Sequence, residues 1–181
     1  MRKRKRKNKR LQPDLLPRNR IERYAKLCKN GSDFQRKVFT AVLLIESFYR
    51  PFYYRMGEYC FSVASCIYSL LLKKQVKAYT VGIGQIGIAR ILNYGGYKVD
   101  PFQHYVSINS VGQLMCVIAS FRRSEMIKII EQYIFQLVTR AQETFPHDVD
   151  EQVQYIGELY NGRYSYGLQL VEVFHSLEYL D

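Results

Sequence analysis

Three glycines and one glutamine lie close together in the stretch YTVGIGQIGIARI, residues 79–91. Gly82, Gly84 and Gly87 form the pattern G-x-G-x-x-G, which lets a backbone approach a pyrophosphate at the start of a helix. The same stretch contains the shorter pattern Gly-x-x-Gln, which ends at Gln85. An amide among glycines can hydrogen-bond a sugar hydroxyl or acetamido group, because glycines let the backbone come close. The stretch is therefore compatible with dinucleotide binding and with saccharide binding.

A carboxyl group suited to acid catalysis occurs in the stretch LLIESFYRP, residues 43–51. Glu46 stands beside Ile45 and Phe48, and burial among apolar groups disfavours the carboxylate anion. A position near the C-terminus of a helix disfavours the anion as well. Both effects raise the pKa of a carboxyl and keep it protonated near neutral pH, as a general acid requires. The alternative is an ordinary exposed glutamate at a helix end.

The elements that must position these groups are predicted to be helices. Apolar residues recur at helical spacing over 34–48, and a Ser-Asp pair precedes this stretch as a cap. Further helices are predicted at 21–29, 54–73, 83–94, 111–121, 125–144, 149–160 and 164–179, with a short strand at 75–82. Ser124 is predicted to cap the helix 125–144. The pair Asn161-Gly162 is predicted to end the helix 149–160 in a left-handed conformation. The expected fold class is mainly α, with little or no β structure.

Dinucleotide binding would need a parallel sheet around the glycines. Residues 76–81 and 96–99 are candidates for its first two strands, and Asp100 lies near the position at which an acid binds a ribose. The remaining segments are predicted to be helical, whereas a doubly wound sheet needs several apolar strands. Dinucleotide binding through the three glycines is therefore kept as an alternative function.

Three short motifs follow one another along the chain: Glu46-Ser47 at a helix end, Gly82-x-x-Gln85 before a helix, and Tyr160-Asn161-Gly162 between the last two helices. Their order and helical setting resemble the goose-type lysozyme and lytic transglycosylase family over about residues 33–178. The resemblance implies a lysozyme-like helical fold in which the motifs line one cleft. It implies cleavage of the β-1,4 bond of peptidoglycan, by hydrolysis or transglycosylation, with Glu46 as general acid and base and no metal or cofactor. The substrate-binding positions that it implies are Ser47, Gly82, Gln85, Tyr160 and Asn161.

The chain departs from this family at several positions. Gly84 stands where the family has a methionine, which removes an apolar contact to the sugar. Glu46 and Gln85 are further apart than the family pattern implies, and the extra length is the predicted helix 54–73. The later tyrosine that orients the acid in the family has no clear match, although Tyr164 or Tyr166 could serve.

Glu58 is the second carboxylate candidate, since most glycosidases use two carboxylates. Arg50 and Arg55 flank it in sequence, and a carboxylate beside arginines is usually ion-paired and ionised. We therefore predict a structural, salt-bridged role for Glu58. The alternative is that Glu58, not Glu46, is the acid.

Charge is concentrated at the N-terminus. The net charge is +11, and the run RKRKRKNKR at 2–10 holds eight of the 27 basic residues, so the remaining 19 exceed the 16 acids by only three. We predict one domain, residues 21–181, preceded by a disordered basic tail, residues 1–20, because like charges repel. Residues 2–10 are expected to bind a polyanion, either a wall polymer, nucleic acid or acidic lipid. The alternative is a solvated tail that only aids solubility.

No apolar stretch follows the tail as a signal peptide requires. The apolar run near 59–72 is too short and too rich in Ser and Cys to span a bilayer, so we predict a buried helix there. We therefore expect a protein made in the cytoplasm that acts at the cell wall, as a phage lysis or virion enzyme or after release by a partner. A lysozyme fold that binds glycan without cutting it is a further alternative.

The four cysteines are Cys28, Cys60, Cys66 and Cys116. They form no C-x-x-C motif, and no histidine stands near them at metal-binding spacing. We predict that all four are buried free thiols.

Overall fold

The computed structural model describes residues 18–49 and 52–177, of which 69% are helical and 5% lie in strands. The predicted mainly α class is confirmed. The described helices are α1 (Arg18–Ala25), α2 (Asp33–Tyr49), α3 (Phe52–Leu72), α4 (Ile88–Tyr94), α5 (Val111–Ser120), α6 (Arg123–Thr144), α7 (Val149–Asn161) and α8 (Tyr164–His175). The described strands are β1 (Val76–Lys77), β2 (Thr80–Val81), β3 (Ile86–Gly87) and β4 (Tyr105–Val106). None of these helices is both long and apolar enough to cross a membrane.

The core is built around α2, which packs against α1, α6 and α8. Phe39, Leu43 and Ile45 of α2 are fully buried, as expected from apolar residues at helical spacing. α7 packs against both α6 and α8, so these three helices and α2 form one bundle. This bundle holds the last turn of α2, where Glu46 lies, in a fixed position relative to the C-terminal end of α7.

Two short antiparallel sheets of two strands each interrupt the helices. β1 pairs with β4, and β2 pairs with β3 with Val81 opposite Ile86. The predicted helix 83–94 therefore starts too early, since α4 begins at Ile88. The reason is the turn between β2 and β3, in which Gly82 has φ 81° and Gln85 has φ 50°, both outside the helical region.

The sheet required for dinucleotide binding does not occur in the part of the chain that the structure describes. Both sheets found there have two antiparallel strands, and residues 96–99 form none. A parallel sheet with a crevice at its strand ends is what holds a dinucleotide in that fold. The G-x-G-x-x-G pattern instead spans a tight hairpin, so its glycines have another structural role.

Several predicted helix boundaries differ from the structure. α1 begins at Arg18, so the predicted tail, residues 1–20, extends too far. Residues 1–17 lie outside the described residues, and with them the run 2–10 that is predicted to bind a polyanion. The N-cap of α6 is Arg122 rather than Ser124, and its side chain makes no capping hydrogen bond. α8 ends at His175, earlier than predicted. The left-handed stop after α7 is confirmed, with Gly162 at φ 77°.

The cysteines are free thiols, but they are not all buried. Cys28 and Cys66 are buried and Cys116 is partly buried, whereas Cys60 is exposed, which corrects the prediction. One side of α3 packs against the rest of the domain, and Cys60 lies on the opposite side, which faces solvent. Burial raises the pKa of the Cys66 thiol to about 11, and burial together with nearby Glu131 raises that of Cys28 to about 11.

We expect the native protein to show one fast-reacting thiol, Cys60, when it is titrated with a maleimide at pH 8. A thiol with a pKa near 11 has a thiolate fraction about a hundredfold below that of an ordinary cysteine, and burial also blocks access. Cys28 and Cys66 should therefore react only after unfolding. Cys60→Ser should remove the fast phase, and a fast phase that persists in this variant would contradict the assignment.

Candidate functional site

Glu46 lies in the last turn of α2, and its side chain is only 6% exposed. The three residues before it, Leu43, Leu44 and Ile45, are also buried. Its surroundings therefore combine the two features predicted for an acid catalyst, burial in the core and a position at a helix C-terminus. An environment of this kind favours the neutral form of a carboxyl group.

The loop between β2 and β3 is held by the side chain of Gln85, which is 8% exposed. Its carbonyl oxygen accepts a hydrogen bond from the hydroxyl of Thr80 at 2.9 Å. Its amide nitrogen donates to the backbone carbonyl of Gly82 and to Oε2 of Glu58, both at 3.1 Å. Gln85 therefore fixes its own turn and connects that turn to α3.

Tyr160, the penultimate residue of α7, contacts the same loop from the other side. Its hydroxyl donates a hydrogen bond to the backbone carbonyl of Gly84. Burial holds the pKa of Tyr160 well above its ordinary value, and Glu46 raises that pKa further when its carboxyl is ionised. The phenol therefore stays protonated as a donor, and it lies within electrostatic range of the Glu46 carboxyl.

The structure thus brings Tyr160, Gln85 and Glu58 to one loop, residues 82–85, and Glu46 lies within electrostatic range of Tyr160. The other predicted substrate-binding residues have different surroundings. Gly82 is buried within the loop, and Asn161 is exposed at the end of α7. The Ser47 hydroxyl donates to the Leu44 carbonyl of its own helix at 3.0 Å. Glu58 makes the contact with Gln85 described above; Arg50, one of its two predicted partners, lies outside the described residues.

An aromatic cluster around Tyr160 is absent from the sequence-based site. The Tyr160 ring is stacked on that of Tyr166, with centroids 6.2 Å apart, and its centroid lies 5.6 Å from that of Tyr133. The guanidinium of Arg90 in α4 lies 4.0 Å from the centroid of Tyr133. Tyr166 was a candidate on sequence grounds, but no local motif marks Tyr133 or Arg90, since their roles depend on contacts between distant segments.

Arg90 and Tyr133 line a small cavity of about 40 Å³. It adjoins an open depression of about 600 Å³ with which it shares Tyr94, Gln132 and Gln136. Glu46 and Gln85 do not line either one. Tyr133 lines the small cavity, and its ring lies beside that of Tyr160.

We expect Gln85→Ala to lower the free energy of unfolding by about 1–3 kcal/mol, because it removes three hydrogen bonds around a buried turn. The sequence alone predicts instead that this change leaves folding intact and weakens only saccharide binding. Urea unfolding measures the effect. Gln142→Ala is the matched control, because Gln142 is exposed on α6. Equal stability of the two variants would show that the Gln85 hydrogen bonds contribute little to the fold.

Comparison of the chain with protein-family models, with curated proteins and with solved structures gives no match.

Proposed function

We propose that this chain cleaves the β-1,4 glycosidic bond of peptidoglycan, on a lysozyme-like helical domain, with Glu46 as general acid and base. The observation that carries the proposal is that the third motif contacts the second while the first lies within electrostatic range of the third. Glu46 of α2 and Tyr160 of α7 interact electrostatically, and Tyr160 binds the carbonyl of Gly84 in the Gly-x-x-Gln turn. The family resemblance rests on the order and helical setting of these motifs, and the contact of Tyr160 with the Gly-x-x-Gln turn supports it.

Cleavage by this site needs one proton donor. The carboxyl of Glu46 donates its proton to the glycosidic oxygen while the bond from that oxygen to C1 of the sugar breaks, which leaves positive charge on the sugar ring. The carboxylate then accepts a proton from the attacking hydroxyl. When water attacks, the result is hydrolysis; when the 6-hydroxyl of the same sugar attacks, the result is an anhydro sugar and transglycosylation.

The other residues are proposed to position the substrate. The amide of Gln85 donates to a carboxylate oxygen of Glu58, and a sugar hydroxyl or acetamido oxygen is the same kind of acceptor. Asn161 offers an exposed amide next to Tyr160. Ser47 belongs to the Glu46-Ser47 motif, and Gly82 belongs to the Gly-x-x-Gln motif. We propose that Glu58 braces the loop in the absence of substrate; its alternative role as the acid is tested by the variants discussed below.

The direct test is digestion of purified peptidoglycan by the full chain, with the products identified by mass spectrometry. Products with a free reducing end indicate hydrolysis, and products lighter by one water indicate transglycosylation. Failure to release either product and to bind chitooligosaccharide would overturn the proposal.

A lysozyme-like module that binds glycan without cutting it is the second candidate. The burial of Glu46 and the occupation of the Gln85 amide by Glu58 favour it, since both restrict access of a glycan to the acid. Binding of chitooligosaccharide, seen by calorimetry, without any cleavage of peptidoglycan is the result that would support this candidate over the enzyme.

A further inference from the structure

The solvent-facing side of α3 carries no charge at any exposed position that the structure describes. Its exposed large apolar side chains include Tyr53, Phe61, Ile67, Tyr68, Leu71 and Leu72. Leu71 is 72% exposed and Tyr53 is 69% exposed. Scattered apolar residues are normal on protein surfaces, but a continuous apolar face along a whole helix marks a binding surface. We call these residues, with Cys60 and Ala64 between them, the outer face of α3.

The inner side of α3 mixes apolar and polar side chains, which is unusual for a surface helix. Cys66 is buried and Tyr59 and Leu70 pack against the core, but Ser62 and Ser69 are buried as well, and Glu58 contacts Gln85. The Ser69 hydroxyl donates to the carbonyl of Lys74 at 2.6 Å and accepts from the backbone nitrogen of Ile108 at 2.9 Å. These contacts fix the rotation of α3, so the helix cannot turn its apolar side into the core. The outer face is therefore left for something outside the domain.

Basic residues stand next to this apolar surface. Lys73, Lys74 and Lys77 directly follow α3, and all three are exposed. α5, which packs against α3, has no charged residue and exposes Val111, Met115 and Ile118. It is followed by Arg122 and Arg123, which are exposed as well. The uncharged outer face of α3 and the uncharged helix α5 are thus each followed by exposed cations.

Apolar and aromatic side chains next to cations fit one surface, an anionic phospholipid bilayer. A helix that lies in the interface inserts its apolar face to the boundary of the acyl chains, and neighbouring lysines and arginines bind anionic headgroups. Tyrosine rings such as those of Tyr53 and Tyr68 favour this depth. The run at 2–10 would add eight further basic residues to the attraction. A protein partner needs no such combination of cations beside an uncharged face.

We propose that this protein binds anionic membrane surfaces peripherally, with the outer face of α3 inserted into the lipid interface. The inference does not depend on the proposed glycosidase function, because none of its residues belongs to the Glu46 site. Binding requires two signals, apolar insertion by α3 and attraction of the basic residues to anionic lipid.

The test is flotation of the full chain with vesicles of phosphatidylcholine alone or with added phosphatidylglycerol. The wild type should float with the anionic vesicles and much less with the neutral ones. Ala64→Glu/Leu71→Glu places two charges seven residues apart on the outer face and should reduce partitioning by at least about tenfold. Val149→Glu/Leu168→Glu, which puts the same charges on exposed apolar positions of α7 and α8, should change it by less than about twofold.

Cys60 provides an independent readout on the outer face. A polarity-sensitive fluorophore attached to it should shift to the blue on addition of anionic vesicles. The same fluorophore on Leu168→Cys in a Cys60→Ser background should not shift. Thermal melts by circular dichroism establish that the variants are folded.

Three results would overturn the proposal. The first is a wild type that does not float with anionic vesicles. The second is equal flotation of the α3 variant and the wild type, which would leave the basic run at 2–10 as the sole attachment, as its deletion would show. The third is concentration-dependent dimerisation of the wild type that the α3 variant loses without any change in flotation, which would make the outer face an interface between two copies of the chain.

Discussion

Glu46→Gln is expected to lower the rate of peptidoglycan cleavage by at least about 10²-fold, the lower range of what general acid catalysis contributes. The amide keeps the size of the side chain and one oxygen acceptor, but it has no proton to transfer. Because Glu46 is 6% exposed and surrounded by the core, a substitution of equal size is the one least disruptive to packing. Release of soluble fragments from cell walls, followed at several enzyme concentrations, measures the rate.

Glu58→Gln is the matched comparison, since it makes the same chemical change at the other candidate carboxyl. Glu58 accepts a hydrogen bond from Gln85, and an amide oxygen in its place can still accept one. We expect a loss of about 0.5–1.5 kcal/mol in the free energy of unfolding and a modest change in rate. Binding of chitooligosaccharide, measured by calorimetry, should survive in both variants.

The opposite pattern would show that Glu46 is not the acid. If Glu58→Gln abolished cleavage and Glu46→Gln retained it, the catalytic group would be Glu58, and Glu46 would be a buried structural residue. Retention of full activity by both single variants would remove the carboxyl mechanism from this site altogether.

The helices could be predicted because their signals are local. The apolar spacing of α2 and α6 and the glycine after α7 each lie within one short segment, and each was found at nearly the predicted place. The start of α4 could not be predicted, since Ile86 belongs to a strand only through its pairing with Val81 across the turn. Apolar periodicity alone does not separate such a hairpin from the first turn of a helix.

The candidate site was predictable as a set of motifs but not as a set of contacts. Gln85 contacts Glu58, which is 27 positions away, and Tyr160 contacts Gly84, which is 76 positions away. Neither contact leaves a trace in local spacing. The exposure of α3 could not be predicted for the same reason, because an apolar helix without known tertiary contacts is expected to be buried.

The glycine at residue 84 has a physical explanation in the packing of α6. A side chain at this position would place its Cβ 2.5 Å from Cδ1 and 2.6 Å from Cγ1 of Ile130, and 3.0 Å from the hydroxyl oxygen of Tyr160. The space that a side chain would need is therefore filled by Ile130 and Tyr160. The loop can approach both only because residue 84 has no side chain.

Gly84→Ala is accordingly expected to lower the free energy of unfolding by about 1–3 kcal/mol through overpacking. Ile130→Ala alone should cost about 2–5 kcal/mol, because it leaves a cavity in the core. In the double variant the new methyl occupies space that Ile130 vacated, so the combined loss should fall short of the sum by about 1–2 kcal/mol. Gly57→Ala is the control, since nothing lies within 4 Å of a Cβ at that exposed position in α3. It should stabilise the helix by about 0.5–1 kcal/mol.

Urea unfolding of the four variants and the wild type measures these free energies of unfolding. Additive losses in the double variant would mean that Gly84 and Ile130 do not compete for the same space. A Gly84→Ala variant as stable as the wild type would mean that the loop moves away from α6 without cost. In that case Tyr160 would not hold the loop near Glu46, and the geometric support for the proposed site would be lost with it.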